Sequence, residues 1–319
     1  MKSINNYISE KLVINKNTKL HYNYFPETKD ELKNIIKQKI KKEGNKCNLN
    51  DINVSKITDM SWLFYLSKFN GDISEWNVSN VKNMRGMFST SNFNQDISNW
   101  DVSNVKDTGY MFEQSKFNQD ISKWDMSKVE NTEYMFANSN FNQDISNWDV
   151  SNVTNMHAMF ASSKFNQDIS KWDVSNVKNM QGIFSYSIFN QDISEWNISN
   201  VKLMGFMFEQ SKFNKDISKW DVSNVKDMKS MFAHSEFNQN ISEWDVSKVE
   251  NMPSMFYYSK FNQDISKWAV SSVNDMDNMF QYSKFNQDIS KWDVSKVIYM
   301  NNIFNSTPLT GKEKEWWNK

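Results

Sequence analysis

Carboxylates recur along this chain at a constant interval. Asp72, Asp96, Asp120, Asp144, Asp168, Asp192, Asp216, Asp264 and Asp288 follow one another in register, with Asn240 holding one place in the series. A second series runs through Asp101, Asp125, Asp149, Asp173, Asp221, Asp245 and Asp293. Stacked carboxylates repel, and calcium held between them would relieve the repulsion. Calcium-binding repeats build their loops from glycine, however, and this chain has 7. Lysines 123, 171, 219, 267 and 291 stand nearby and can neutralise the ladder. The carboxylates therefore read as acceptors for turn amides.

Tryptophans 76, 100, 124, 148, 172, 196, 220, 244, 268 and 292 keep the same interval. Exposed, they would form a stacking ladder for sugar rings. They fall in one register with Ile97 and Val102, which favours a buried spine whose indole N–H groups need partners.

Nucleophilic chemistry has no support. Ser98 recurs in every coil with no histidine paced beside it. One cysteine, Cys47, and three scattered histidines, His21, His157 and His234, build neither a disulfide frame nor a metal cluster. No enzyme activity, cofactor or metal is expected. With 37 basic and 38 acidic residues and a net charge of −1, the chain is not a general nucleic-acid binder. The N-terminus has no continuous apolar signal, and no stretch approaches a membrane span of about 18 apolar residues.

The elements that must position these residues follow from the 24-residue period, a length in the range of leucine-rich solenoids. In the coil that begins at Phe93, residues Val105, Thr108, Met111 and Phe112 share one helical face, with Ser103 as an N-cap. The preceding "NQDISNWDV" reads as extended, with Ile97 inward. Each coil is thus expected to be a short strand plus a short helix, and the fold an α/β, leucine-rich-repeat-type solenoid. A capping helix is expected over "ETKDELKNIIKQKIKKEG", with Thr28 and Glu31 as a capping box, Gly44 as its stop, and Leu32, Ile35, Ile36 and Ile40 as its apolar stripe. It reads as a lid on the first coil, or else as a basic helix for an anionic surface. The chain divides into residues 1–48 (N-terminal segment and cap), 49–304 (a degenerate first coil and about ten repeats) and 305–319 (a C-terminal cap carrying Trp316 and Trp317).

On such a helix, positions equivalent to 106, 110, 113 and 114 face outward. There the chain places Tyr110, Tyr134, Tyr186, Phe206, Tyr257, Tyr258 and Tyr282 among small and polar residues. Outward aromatics suit partner binding. Alternatively, Tyr110 and Tyr134 fold back to refill the volume lost where Thr108 and Thr132 replace methionine.

The module W-D-V-S-N-V-x-x-M-x-x-M-F resembles the BspA-like leucine-rich repeats of bacterial surface proteins, of the DUF285 type. The resemblance covers about residues 49 to 304, and the segment from Lys29 to Met60 is similar to the lead-in of such arrays. It implies a right-handed solenoid and a binding or adhesive role for a protein or glycan partner, without catalytic residues, at a cell surface or secreted. Repeats of this kind occur in bacteria and in viral genomes. The sequence by itself favours a cytoplasmic or virion protein, the chain is expected to be a monomer, and the alternative role is an intracellular or virion structural scaffold or spacer.

Overall fold

The structure, a computed structural model, describes residues 22–309. The C-terminal cap expected from Trp316 and Trp317 lies outside them, as does His21.

The chain enters through one helix, α1 (Lys29–Glu43). Thr28 caps it by accepting a bond from the Glu31 amide at 3.2 Å. The Glu31 carboxylate returns to the amide of Glu27, one residue earlier than in a capping box, at 2.7 Å. Gly44, at φ 87°, ends the helix by donating its N–H to the Ile40 carbonyl. Asp30 and Glu31 at the first turn, and Lys41 and Lys42 at the last, oppose the helix dipole. Leu32 and Ile36 are buried in the same core as Leu49 and Ile52, while Ile35 and Ile40 are partly buried against it. Lys39 reaches both carboxylate oxygens of Asp51 at 2.9 Å. The basic side of the helix is thus partly used within the protein.

Beyond α1, the chain stacks in coils of 24 residues. A single parallel bridge joins each coil to the next, from Asp59–Asn83 through Asn155–Asn179 to Asp275–Tyr299. The expected α/β, right-handed leucine-rich-repeat-type solenoid is overturned by this architecture. Among the described residues α1 is the only helix, and no strand extends past an isolated bridge.

The segment from Thr108 to Ser115 shows why. The N–H groups of Thr108, Tyr110, Phe112 and Gln114 donate to Asn131, Glu133, Met135 and Ala137 of the following coil. Those of Met111, Glu113 and Ser115 donate three residues back, to Thr108, Tyr110 and Phe112. The segment is a run of overlapping turns, with Tyr110 and Gln114 at φ 58° and 51°. An α-helix would direct its bonds along its own axis and need 8–10 Å to its neighbour. Parallel backbone pairing holds the coils about 4.8 Å apart. The inter-coil bonds leave no room for helices. The two positive-φ positions recur down the stack as two columns, at 62, 86, 110, 134 and onward, and at 66, 90, 114, 138 and onward. Each non-glycine residue there costs about 1–2 kcal/mol of backbone strain, offset from Trp62 to Tyr282 by the bond its N–H makes to the next coil.

Val105, Thr108, Met111 and Phe112 are all buried even though they lie on no helix. The phenylalanines stack in two files. Phe93 and Phe117 are 6.3 Å apart, Phe88 and Phe112 5.7 Å, and the files touch at Phe112–Phe117, 4.1 Å. The tryptophans form the expected buried spine, 3–5% exposed. Each indole N–H donates to a backbone carbonyl of the preceding coil, Leu49 for Trp76 and an isoleucine for the rest, as Trp100 does to Ile73 at 3.1 Å. Ser103 caps no helix; its amide donates to Asp101.

Candidate functional site

Side chains of the repeated polar positions are consumed by the backbone. Asp96 accepts the amide of Ser98 at 2.8 Å, and Asp168 that of Ser170 at 2.9 Å. Asn240 makes the same bond to Ser242 at 2.9 Å. The Asn94 amide carbonyl accepts the N–H of Asn118 one coil on, and Asn104 donates to the carbonyl of Ser79 in the coil before. Bonds from the serine amides hold the carboxyls of Asp120, Asp144, Asp168, Asp192 and Asp216 below their usual range. These residues build turns. Among the described residues no group of three or more His, Cys, Asp or Glu is placed to hold a metal ion.

The variable side chains gather on the turn columns. The seven aromatic candidates fall into separate groups. Tyr110 and Tyr134 stack at 4.7 Å and 16°, half-buried, with burial pushing both phenols up. The Arg85 guanidinium lies 4.7 Å from the Tyr110 ring and pairs with Glu133. His157 closes the far side of Tyr134, its ring 4.8 Å away and its pKa lowered by burial. Further along, Tyr258 and Tyr282 stack at 4.4 Å, with Tyr257 edge-on to Tyr258 at 4.9 Å and His234 against both Tyr257 and Tyr258. Tyr186 is 51% exposed. Phe206 carries Lys229 5.5 Å from its ring. The expected outward helix face is replaced by these columns: Tyr110, Tyr134 and Phe206 share the first, Tyr186, Tyr258 and Tyr282 the second, and Tyr257 lies between them.

Between the Tyr134–His157 pair and Phe206 lies a groove of about 420 Å³. Its floor is Ala158, Ala161 and Gly182; Gln181, Ser185 and Glu209 supply polar atoms. Glu209 accepts from the Ser185 hydroxyl at 3.3 Å, and burial raises its carboxyl above the usual value. The pattern of outward aromatics pointed to Tyr134 and Phe206 but missed His157, Gln181, Gly182 and Glu209. It also missed Trp62 and Tyr65, which pack at 5.3 Å at the first coil. The signal that could have found them is the register itself: Trp62, Gly86, Tyr110, Tyr134, Ala158, Gly182 and Phe206 occupy one position in successive coils.

No helix among the described residues is long and apolar enough to cross a membrane. A comparison with curated proteins found no match. The profile of a family described as "Mycoplasma protein of unknown function, DUF285" matches residues 31–140, 114–212, 137–236 and 234–318. The match concerns DUF285 alone and does not extend to the BspA-like leucine-rich repeats. Its four overlapping stretches run from the first turn of α1 through every coil, and the chain belongs to the DUF285 repeat family.

Proposed function

We propose that this chain is a non-catalytic binding protein that recognises a protein or glycan partner through its turn columns. The observation that carries the reading is a division of labour. Polar side chains that repeat from coil to coil are bonded to backbone, whereas the variable positions collect half-exposed aromatic rings. Tyr186, Tyr258 and Tyr282 stand 40–51% exposed on one column, without a structural demand for aromatic rings there. Rigid aromatics displayed on an immobile frame lose little conformational entropy on binding. An adhesive setting at a cell surface is proposed only from the resemblance of the repeated module to BspA-like surface repeats.

The test is a screen of the full chain, and of a Tyr257→Ser/Tyr258→Ser/Tyr282→Ser variant, against glycan and host-protein arrays. A partner bound by the parent and lost by an equally stable variant supports the reading. A parent that binds nothing, or a variant that binds unchanged, overturns it. The second reading, a scaffold or spacer, draws on the unbroken ladder of backbone bonds from Met60 to Asn305.

A further inference from the structure

The groove at Gly182 has a counterpart four coils earlier. Residues 109–118, "GYMFEQSKFN", and residues 205–214, "GFMFEQSKFN", differ at one position. The preceding coils align in the same register, so that Gly86 corresponds to Gly182, Ser89 to Ser185, Glu113 to Glu209 and Tyr110 to Phe206. The backbones agree, with both glycines at φ 61°. The serine–glutamate bond is kept as well, at 2.8 Å from Ser89 to Glu113 and 3.3 Å from Ser185 to Glu209.

What differs is the occupant. At the first place the Trp62 indole lies flat on Gly86. A Cβ on that glycine would sit 2.2 Å from Trp62 Cε3. Tyr65 meets the indole edge-on at 5.3 Å, and Tyr110 stands 6.0 Å beyond. At the second place Trp62 and Tyr65 are replaced by Ala158 and Ala161, and the groove opens. A Cβ on Gly182 would meet nothing nearer than Ser185 Cβ at 3.8 Å and Ala158 Cβ at 3.9 Å. Positive φ does not demand glycine there, since Tyr110, Ala158, Phe206 and Ser230 adopt it in the same column. The missing side chains leave a ring-shaped space over a small floor, walled by Phe206 at one end and by His157 and Tyr134 at the other.

We propose that this groove docks a tryptophan side chain presented by a partner protein, in the position that Trp62 fills from within the chain at Gly86. The proposal rests on the binding reading above and names the partner's chemistry. Gln181 stands where Arg85 does in the first group, so the groove has no guanidinium for an anionic ligand. Glu209 and the Gln181 amide instead offer acceptors to an indole N–H. Apolar floor, aromatic end walls and a half-buried acceptor together suit a ring that is apolar on its faces and a donor at its edge.

The test is an NMR titration of the labelled full chain with N-acetyl-tryptophanamide and, separately, with cellohexaose. Saturable shifts confined to the amides of Ala158, Gly182, Ser185 and Glu209 are expected with the tryptophan amide. Ala158→Trp should plug the groove with the chain's own indole and weaken those shifts at least about tenfold. Phe206→Ser, which removes an end wall, should also weaken them. Groove shifts with the hexasaccharide alone, no groove shifts with either probe, or unchanged binding in Ala158→Trp would each overturn the proposal. A chain carrying Ala158→Trp that does not fold also overturns it, because the groove then lacks the shape of the Gly86 site. The two readings fail separately. If Ala158→Trp still captures an array partner that the triple tyrosine variant loses, the groove assignment falls and the binding function stands.

Discussion

The indole N–H of Trp172 donates to the carbonyl of Ile145, 3.1 Å away in the preceding coil. The same pair recurs from Trp76–Leu49 to Trp292–Ile265, so each spine residue both fills the core and satisfies a carbonyl of its neighbour. Trp172→Ala therefore opens a cavity and leaves a buried acceptor without its donor. The expected cost is about 3–5 kcal/mol, with loss of amide protection spreading into the flanking coils. Chemical denaturation with hydrogen exchange measures both. A stable variant whose protection is unchanged would show that the spine is dispensable.

Gly86 and Gly182 share a backbone conformation but not an environment. Gly86→Ala must displace the Trp62 ring, and overpacking of this kind typically costs about 1–3 kcal/mol beyond the strain of a side chain at positive φ. Gly182→Ala adds a methyl in ordinary contact and should cost only that strain, about 1–2 kcal/mol. Paired urea titrations decide it; equal losses would mean that the Trp62 ring does not rest on Gly86 in solution.

Acid should weaken the stack. The carboxyls of Asp120, Asp144, Asp168, Asp192, Asp216, Asp264 and Asp288 lie below their ordinary value because serine amides two residues on bond to them. A group depressed in the folded state contributes stability above its unfolded pKa, about 3.9, and loses it as pH falls through the lower folded value. The melting temperature should stay level from pH 7 to about 5 and fall below about 4. Asn240 already makes the turn without a titrating group. Replacing these seven aspartates by asparagine should keep the neutral melting point and flatten the acid limb. A parent protein whose melting temperature holds down to pH 2 would remove the carboxylates from the account.

Leu32 on α1 is fully buried. Leu32→Ala should cost about 2–5 kcal/mol and loosen the first coil before the rest. Exchange at Leu49, Ile52 and Val54 would rise ahead of exchange at Val177 and Val201. Uniform exchange along the stack would mean that α1 does not protect the end it covers.

Much of this protein was legible in its residues. The period, the buried tryptophans, the turn-building aspartates and the α1 helix with Thr28 and Gly44 at its ends all follow from spacing and residue type. The coil interior was not. Val105, Thr108, Met111 and Phe112 carry the spacing of a helical face, and a run of overlapping turns buries that set equally well. The discriminating fact is geometric: helices do not fit at one strand spacing, and the glycines and asparagines at 86, 182, 278 and 302 in the first column, with Asn138 in the second, are residues that tolerate the positive φ found there. The groove was hidden for another reason. Its shape comes from Ala158, Ala161 and Gly182, whose significance is the side chain they lack, visible only beside Trp62, Tyr65 and Gly86.

The bond from Phe112 to Met135 has the same form as those from Phe88 to Met111 and from Phe136 to Met159. Because these backbone bonds and the buried files recur at successive junctions, an in-frame loss or gain of one period rejoins core surfaces that already match. Unequal recombination within the gene would thus yield a folded chain of different length rather than a broken one. It would also slide the Gly182 groove relative to the Tyr258 cluster by one step if the event fell between them. Spacing between the groove and the tyrosine cluster is then a heritable variable, adjustable without redesigning the core.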